Sequence, residues 1–191
     1  MFGPMYLAHA GAALASKRVD ERLPLSWCLT AAWAFDLTGV GHWIPFALAF
    51  AAAAYWAANR RWDARAGVIL ASTLLFHDAL DLVVGVQLLP GAHYIGPNLS
   101  GRSLVELALE VAVICVGWRL YSTTLPNRQR RQPLLYLPLV IMLAFAGAHA
   151  ATSSSTDAKF SATQLLVLVS GLVLSWYALI AVDQRLRPTV P

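Results

Sequence analysis

His77 and Asp81 stand four residues apart in the run Phe76-His77-Asp78-Ala79-Leu80-Asp81, and Glu106 and Glu110 stand four apart in the next apolar stretch. In helices each pair shares one face, while Asp78, directly after His77, points elsewhere. His9, Asp36 and His42 occupy three further apolar stretches. Imidazoles and carboxylates of this kind suit Zn²⁺, or Mn²⁺ as a second choice. Neutral imidazole and ionised carboxylate act as ligands, and a further carboxylate orients a His ring. The expected metal ligands are His9, Asp36, His42, His77 and Asp81, with Glu106 behind them and Glu110 or Asp78 as general base.

The elements that must carry these residues are apolar. Of 191 residues 58% are hydrophobic and 13% charged, where a soluble domain has about a quarter charged. Apolar stretches cover roughly 3–15, 23–40, 43–58, 66–86, 103–121, 133–150 and 162–182. Most approach the ~20 residues that cross a bilayer as helix, and no alternating strand pattern competes. The first is short for a span. The predicted fold is an all-α, polytopic integral membrane helical bundle of six or seven transmembrane segments. Residues 1–122 form the domain with the His and carboxylate cluster, 123–132 a basic loop, and 133–191 two supporting helices with a short tail. Pro138 is expected to kink the sixth segment.

Lys and Arg orient the bundle. All but Arg102 and Lys159 of the fourteen follow alternate segments: Lys17, Arg18 and Arg22, then Arg60, Arg61 and Arg65, then Arg119 to Arg131, then Arg185 and Arg187. The positive-inside rule puts these on the cytoplasmic side, together with the C-terminus. The net charge of +4 is thereby matched to anionic lipid head groups, and no nucleic-acid partner is implied. Membrane lipids are the expected partners, and a second copy or another membrane protein is compatible. Asp20, Glu21, Asp63 and Asp183 are expected to pair with the basic residues there. His149 is expected at a solvated helix end, and most of the seven Trp, Trp118 among them, in an interfacial belt. Cys28 and Cys115 stand alone, so no disulfide framework is implied.

Orientation makes depth calculable. At about 1.5 Å per residue, Asp36 lies roughly 6 Å inside the outer end of its segment, Asp81 roughly 8 Å, Glu106 about 5 Å, and His77 and Glu110 about 12 Å. These groups share one slab with His9 and His42. Arg102 is the one basic residue near them in sequence, so the buried carboxylates carry excess negative charge that a divalent cation would neutralise. Proton-sharing carboxylates that only specify packing, in a scaffold or accessory subunit, are one alternative. An ion or proton path is another, and it requires polar residues continuing inward from Glu110 and His77, where the spans read as apolar.

The order of motifs resembles a family. Leu7-Ala8-His9 through Ser16-Lys17-Arg18, then Pro24 and Phe35-Asp36-Leu37, then Gly41-His42-Trp43, His77 through Asp81, Leu109-Glu110 and Gly117 to Tyr121 resemble bacterial membrane-bound metal-dependent hydrolase-like proteins. The likeness runs over about residues 5–122. It implies His9, Asp36, His42, His77, Asp81 and Glu110 as the polar site. The chain departs from the family where serines flank the third motif's His, at Gly85, where some members have a His, and at Asp78, which replaces an apolar residue. The resemblance implies metal-assisted hydrolysis of an ester, phosphoester or amide. A site opening in the outer half of the bilayer favours a lipid or other amphiphile, with Arg102 for an anionic head group and His93 and Tyr94 in a covering loop.

Overall fold

A computed structural model describes residues 7–38, 44–84, 103–153 and 162–187. Within them lie α1 (Ala8–Val19), α2 (Leu25–Thr38), α3 (Ile44–Arg61), α4 (Ala64–Val84), α5 (Ser103–Thr123), α6 (Asn127–Arg130), α7 (Leu137–Ser153) and α8 (Ala162–Leu186), with a 3-10 turn over Pro133–Tyr136. No strand occurs among the described residues.

Three of these elements are long and apolar enough to cross a membrane: Ala64–Val83, Pro133–Ala151 and Ala162–Leu186. The other expected spans fail on length or charge. The 12 residues of α1 reach about 18 Å, and the 14 of α2 about 21 Å, against a hydrocarbon core of about 30 Å. α3 ends on Arg60 and Arg61. α5 has the length, at 21 residues, but carries Glu106, Glu110 and Arg119. The distribution of side chains nevertheless suits a membrane. Phe46, Leu48, Trp56, Val116, Leu166 and Tyr177 are exposed, while His9, Asp36, His77 and Asp81 are buried, which inverts the usual soluble pattern.

α1 is the hub, packed on α2, α4 and α5, and His9 through Leu14 are all buried. Its closest neighbour is α5. A Cβ on Gly11 would run into the Val113 carbonyl, and one on Gly117 into the backbone of Gly11. Small residues permit this crossing, as in membrane helix pairs generally. α3 and α4 form a hairpin, α7 packs on α5 and α8, and α8 reaches α2, where Trp33 stacks on Trp176 at 5.8 Å.

The basic end is closed by hydrogen bonds. Asp63 caps α4, its Oδ1 accepting from Ala66 N at 2.8 Å. Arg22 donates to Asp20 Oδ2 at 2.7 Å and to Asp63 Oδ2 at 2.8 Å, joining the α1–α2 and α3–α4 turns. Arg65 donates to Val19 O at 2.7 Å, and buried Lys17 donates to Glu21 O at 2.7 Å and Leu23 O at 2.5 Å. Tyr121 donates to Asp183 Oδ1 at 2.8 Å, and Arg187 pairs with Asp183 at 3.1 Å and Glu21 at 3.7 Å. The four carboxylates thus have the basic partners expected. Pro138 stands in the first turn of α7, where its missing N–H leaves no intrahelical hydrogen bond unmade.

Candidate metal centre

Three helices converge on one buried cluster. α1 brings His9, α4 brings His77 and Asp81 one turn apart, and α2 brings Asp36 and the Ala32 carbonyl, also one turn apart. His9 and His77 are 0% exposed, Asp36 and Asp81 1%, so the cluster lies inside the helix packing.

The ring orientations follow from α2. His77 Nδ1 lies 2.7 Å from Ala32 O; a carbonyl only accepts, so this nitrogen carries the proton. His9 Nδ1 lies 3.0 Å from Asp36 Oδ2. Each ring is therefore held from behind, and each Nε2 turns toward Asp81: His9 Nε2 is 3.5 Å from Oδ1 and His77 Nε2 3.2 Å from Oδ2. The rings stack with centroids 3.5 Å apart, and Phe35 meets His77 edge-on at 5.2 Å. In neutral imidazoles those Nε2 atoms present lone pairs to a carboxylate. Such an arrangement is repulsive unless a positive charge sits between them, either as protons or as a cation.

His9, His77 and Asp81 each offer a donor atom within 4.8 Å of the others, so this buried group could hold a metal ion. Two nitrogens and a carboxylate, with both rings anchored through Nδ1, match the ligand and outer-shell chemistry of a divalent-metal site.

The other expected site residues fall as follows. Asp36 belongs to the cluster but backs His9 and lies 3.8 Å from His77 Nδ1; its Oδ1 is buried without a hydrogen-bond partner among the described residues. Glu110 is 2% exposed and accepts from Leu7 N at 3.0 Å, so its carboxylate closes the N-terminus of α1 and faces the positive end of the helix dipole. Asp78 is half-buried beside His77, and Glu106 half-buried on α5. His42, His93, Tyr94 and Arg102 lie outside the described residues.

Four features were not anticipated. The Ala32 carbonyl has no side-chain signal, although its spacing from Asp36 places both on one face. Ser16 and Thr73 meet at 2.5 Å between α1 and α4 and are buried, so a hydroxyl pair lies inward of the cluster where only apolar packing was expected. His149 is buried at 8% exposure rather than solvated, and Trp118 is buried rather than interfacial.

The chain matches no protein-family model, no curated protein and no solved structure.

Proposed function

We propose that this chain is a membrane-embedded, metal-dependent hydrolase, related to the bacterial membrane-bound proteins that its motifs resemble. It acts on a lipid or other amphiphilic ester or phosphoester at the outer side of an inner membrane. In this reading six or seven segments enter the bilayer, the short ones as partial or tilted helices around α4, α7 and α8, and the C-terminus is cytoplasmic.

The observation that carries the proposal is the pair of imidazoles pinned at Nδ1 by α2, with both Nε2 atoms converging on Asp81. Charge agrees: neutral rings with ionised Asp36 and Asp81 leave two negative charges, which one divalent ion balances. Nitrogen-rich donors favour Zn²⁺, with Mn²⁺ second. Such an ion supplies Lewis acidity and makes water nucleophilic near neutral pH. The protein's own part is orientation and proton handling. Asp36 and the Ala32 carbonyl fix the two rings, and the low-dielectric surroundings strengthen each polar contact. Asp78 or Glu110 would serve as general base. Arg102, His93 and Tyr94 are assigned to the substrate on sequence alone.

Elemental mass spectrometry of the purified protein tests the reading. Near-stoichiometric Zn²⁺ or Mn²⁺, absent from His77→Ala and Asp81→Ala, is expected, with ester or phosphoester turnover lost in the same variants. Turnover retained in both would sink the proposal. A second reading, a non-catalytic scaffold, is favoured by one feature: His9 lies between Asp36 and Asp81, so an imidazolium there would reduce the negative charge without metal. A well-folded, metal-free wild type is the result that reading requires.

A further inference from the structure

Ser16 and Thr73 are buried between α1 and α4, one turn inward of His77. Each hydroxyl is already served by its own helix: Ser16 Oγ donates to Ala12 O at 2.9 Å, and Thr73 Oγ1 to Ile69 O at 2.8 Å. That bond satisfies a hydroxyl in an apolar helix, yet the two oxygens also meet at 2.5 Å. Three contacts therefore share two protons. When Ser16 donates to Thr73, Thr73 donates to Ile69 O; when Thr73 donates to Ser16, Ser16 donates to Ala12 O. The pair has two states that differ only in the direction of its hydrogen bonds.

The pair lies on a polar line. His9 and Ser16 fall within about 20° of one line along α1, and Asp20 caps that helix one turn further on. On α4, Asp81, His77 and Thr73 follow at four-residue steps on one face. The two helices are antiparallel, since His9 meets Asp81 near one end and Val19 O accepts from Arg65 at the other. The seam thus starts at the cluster, with Asp36 of α2 and Glu110 of α5 beside it, and passes the hydroxyls. It ends at buried Asp20, which is bound to the exposed Arg22 side chain, with Lys17, Asp63 and Arg65 around it. The steps from His77 to Thr73 and from Ser16 to Asp20 are each one helical turn, about 6 Å. One bridging water with two hydrogen bonds of about 2.8 Å covers such a step.

We propose that the α1–α4 seam is a proton path joining the buried cluster of His9, Asp36, His77 and Asp81 to the basic end. A proton that reaches the Ser16 oxygen from the cluster side forms an O–H bond there. The former Ser16 proton passes to Thr73, and the former Thr73 proton passes on toward Asp20. Each hydroxyl ends with one proton, in the second of the two states, and rotation about both C–O bonds restores the first. Water carries the proton over the two one-turn steps. Ala and Val at these positions would pack the helices without passing a proton. The cluster is buried on all sides, so it needs such a route whether it holds a metal ion or protons, and the path rests on neither reading of its function.

The test follows hydrogen exchange of the imidazole N–H protons. The full chain, labelled with heavy-nitrogen histidine and held in lipid nanodiscs, is moved into heavy water and followed by NMR, with the rings assigned by His9→Gln and His77→Gln. In the wild type the His9 and His77 ring protons should exchange at least about tenfold faster than the backbone amides of Thr73 and Leu74, which open only with the helix. Thr73→Val removes the hydroxyl and keeps the shape, and should slow ring exchange about tenfold. Thr73→Ser should leave it near the wild-type rate. Ser16→Ala should give the same slowing if Thr73→Val does not fold. A purely packing role predicts the opposite sign, because a loosened seam exchanges faster. His149, buried on α7 away from the seam, is the control, and its exchange should not change. Wild-type ring exchange as slow as the amides, exchange unchanged or faster in Thr73→Val and Ser16→Ala, slowing in Thr73→Ser as well, or slowing shared by His149 would each overturn the path.

Discussion

At the scale of single residues, the centre separates atoms that would touch an ion from atoms that aim them. His9 Nε2, His77 Nε2 and Asp81 form the first group, and Asp36 with the Ala32 carbonyl the second. The sequence places Asp36 among the ligands, because spacing identifies carboxylates at a common depth without telling which side of a ring they occupy. The two roles are separable by experiment. Asp36→Asn keeps an acceptor for His9 Nδ1 but removes the charge behind it, so it should weaken metal affinity about 10- to 100-fold while leaving the ion able to bind. His77→Ala should abolish binding. Competition with a chromophoric chelator measures both, and an Asp36→Asn protein that binds as tightly as wild type would show that the carboxylate behind His9 is dispensable.

At the scale of elements, α1 is too short to span a bilayer, and its position comes from its neighbours. Glu110 closes its start, Lys17 and Arg65 hold its end, and Gly117 admits its backbone at close range. At Gly117 two effects compete. Gly→Ala in a helix gains about 0.5–1 kcal/mol, whereas overpacking against backbone costs about 1–3 kcal/mol or more. The clash wins, so Gly117→Ala should lower the melting temperature in detergent. Gly147→Ala, where an added Cβ meets nothing within 4 Å, should be neutral or slightly stabilising. Equal melting temperatures for the two variants would remove the close crossing from the account. Glu110 divides in the same way. Glu110→Gln keeps the acceptor for the Leu7 amide and so the fold; a base role predicts lost turnover in that variant, and a purely capping role predicts turnover retained. How much of this was legible follows from its physical carrier. The shared face of His77 and Asp81 was readable because side-chain spacing on a helix is periodic. The Ala32 carbonyl and the Gly11 contact were hidden because backbone atoms are the same at every residue. The hydroxyl pair of Ser16 and Thr73 was hidden because it joins two helices whose register no spacing reveals.

At the scale of the whole molecule, the chain has two unlike ends. The apolar spans and the buried cluster were foreshadowed by composition and by the grouping of Lys and Arg. Among the described residues three helices are long and apolar enough to cross a membrane, where six or seven segments were expected, because apolar residues of short, internally packed helices look the same in sequence as those of helices that face lipid. The basic end is an electrostatic clasp: Arg22 joins Asp20 to Asp63, and through them the turn after α1 to the turn before α4. The Arg22 guanidinium holds the Asp20 carboxyl below its usual range. The Ala66 amide and then Arg22 do the same for Asp63. Since both folded-state values are depressed, the stabilisation is complete above the unfolded carboxyl pKa of about 3.9 and is lost as pH falls through the lower folded values. Solvent exposure of Arg22 and Asp63 screens the pair, so the effect is modest in size. Arg22→Ala should therefore melt at a lower temperature than wild type near neutral pH. The gap should persist at about pH 5 and narrow only below about pH 4, as the unfolded and then the folded carboxyls take up protons. A gap unchanged down to the acid limit would mean that Arg22 acts by packing alone.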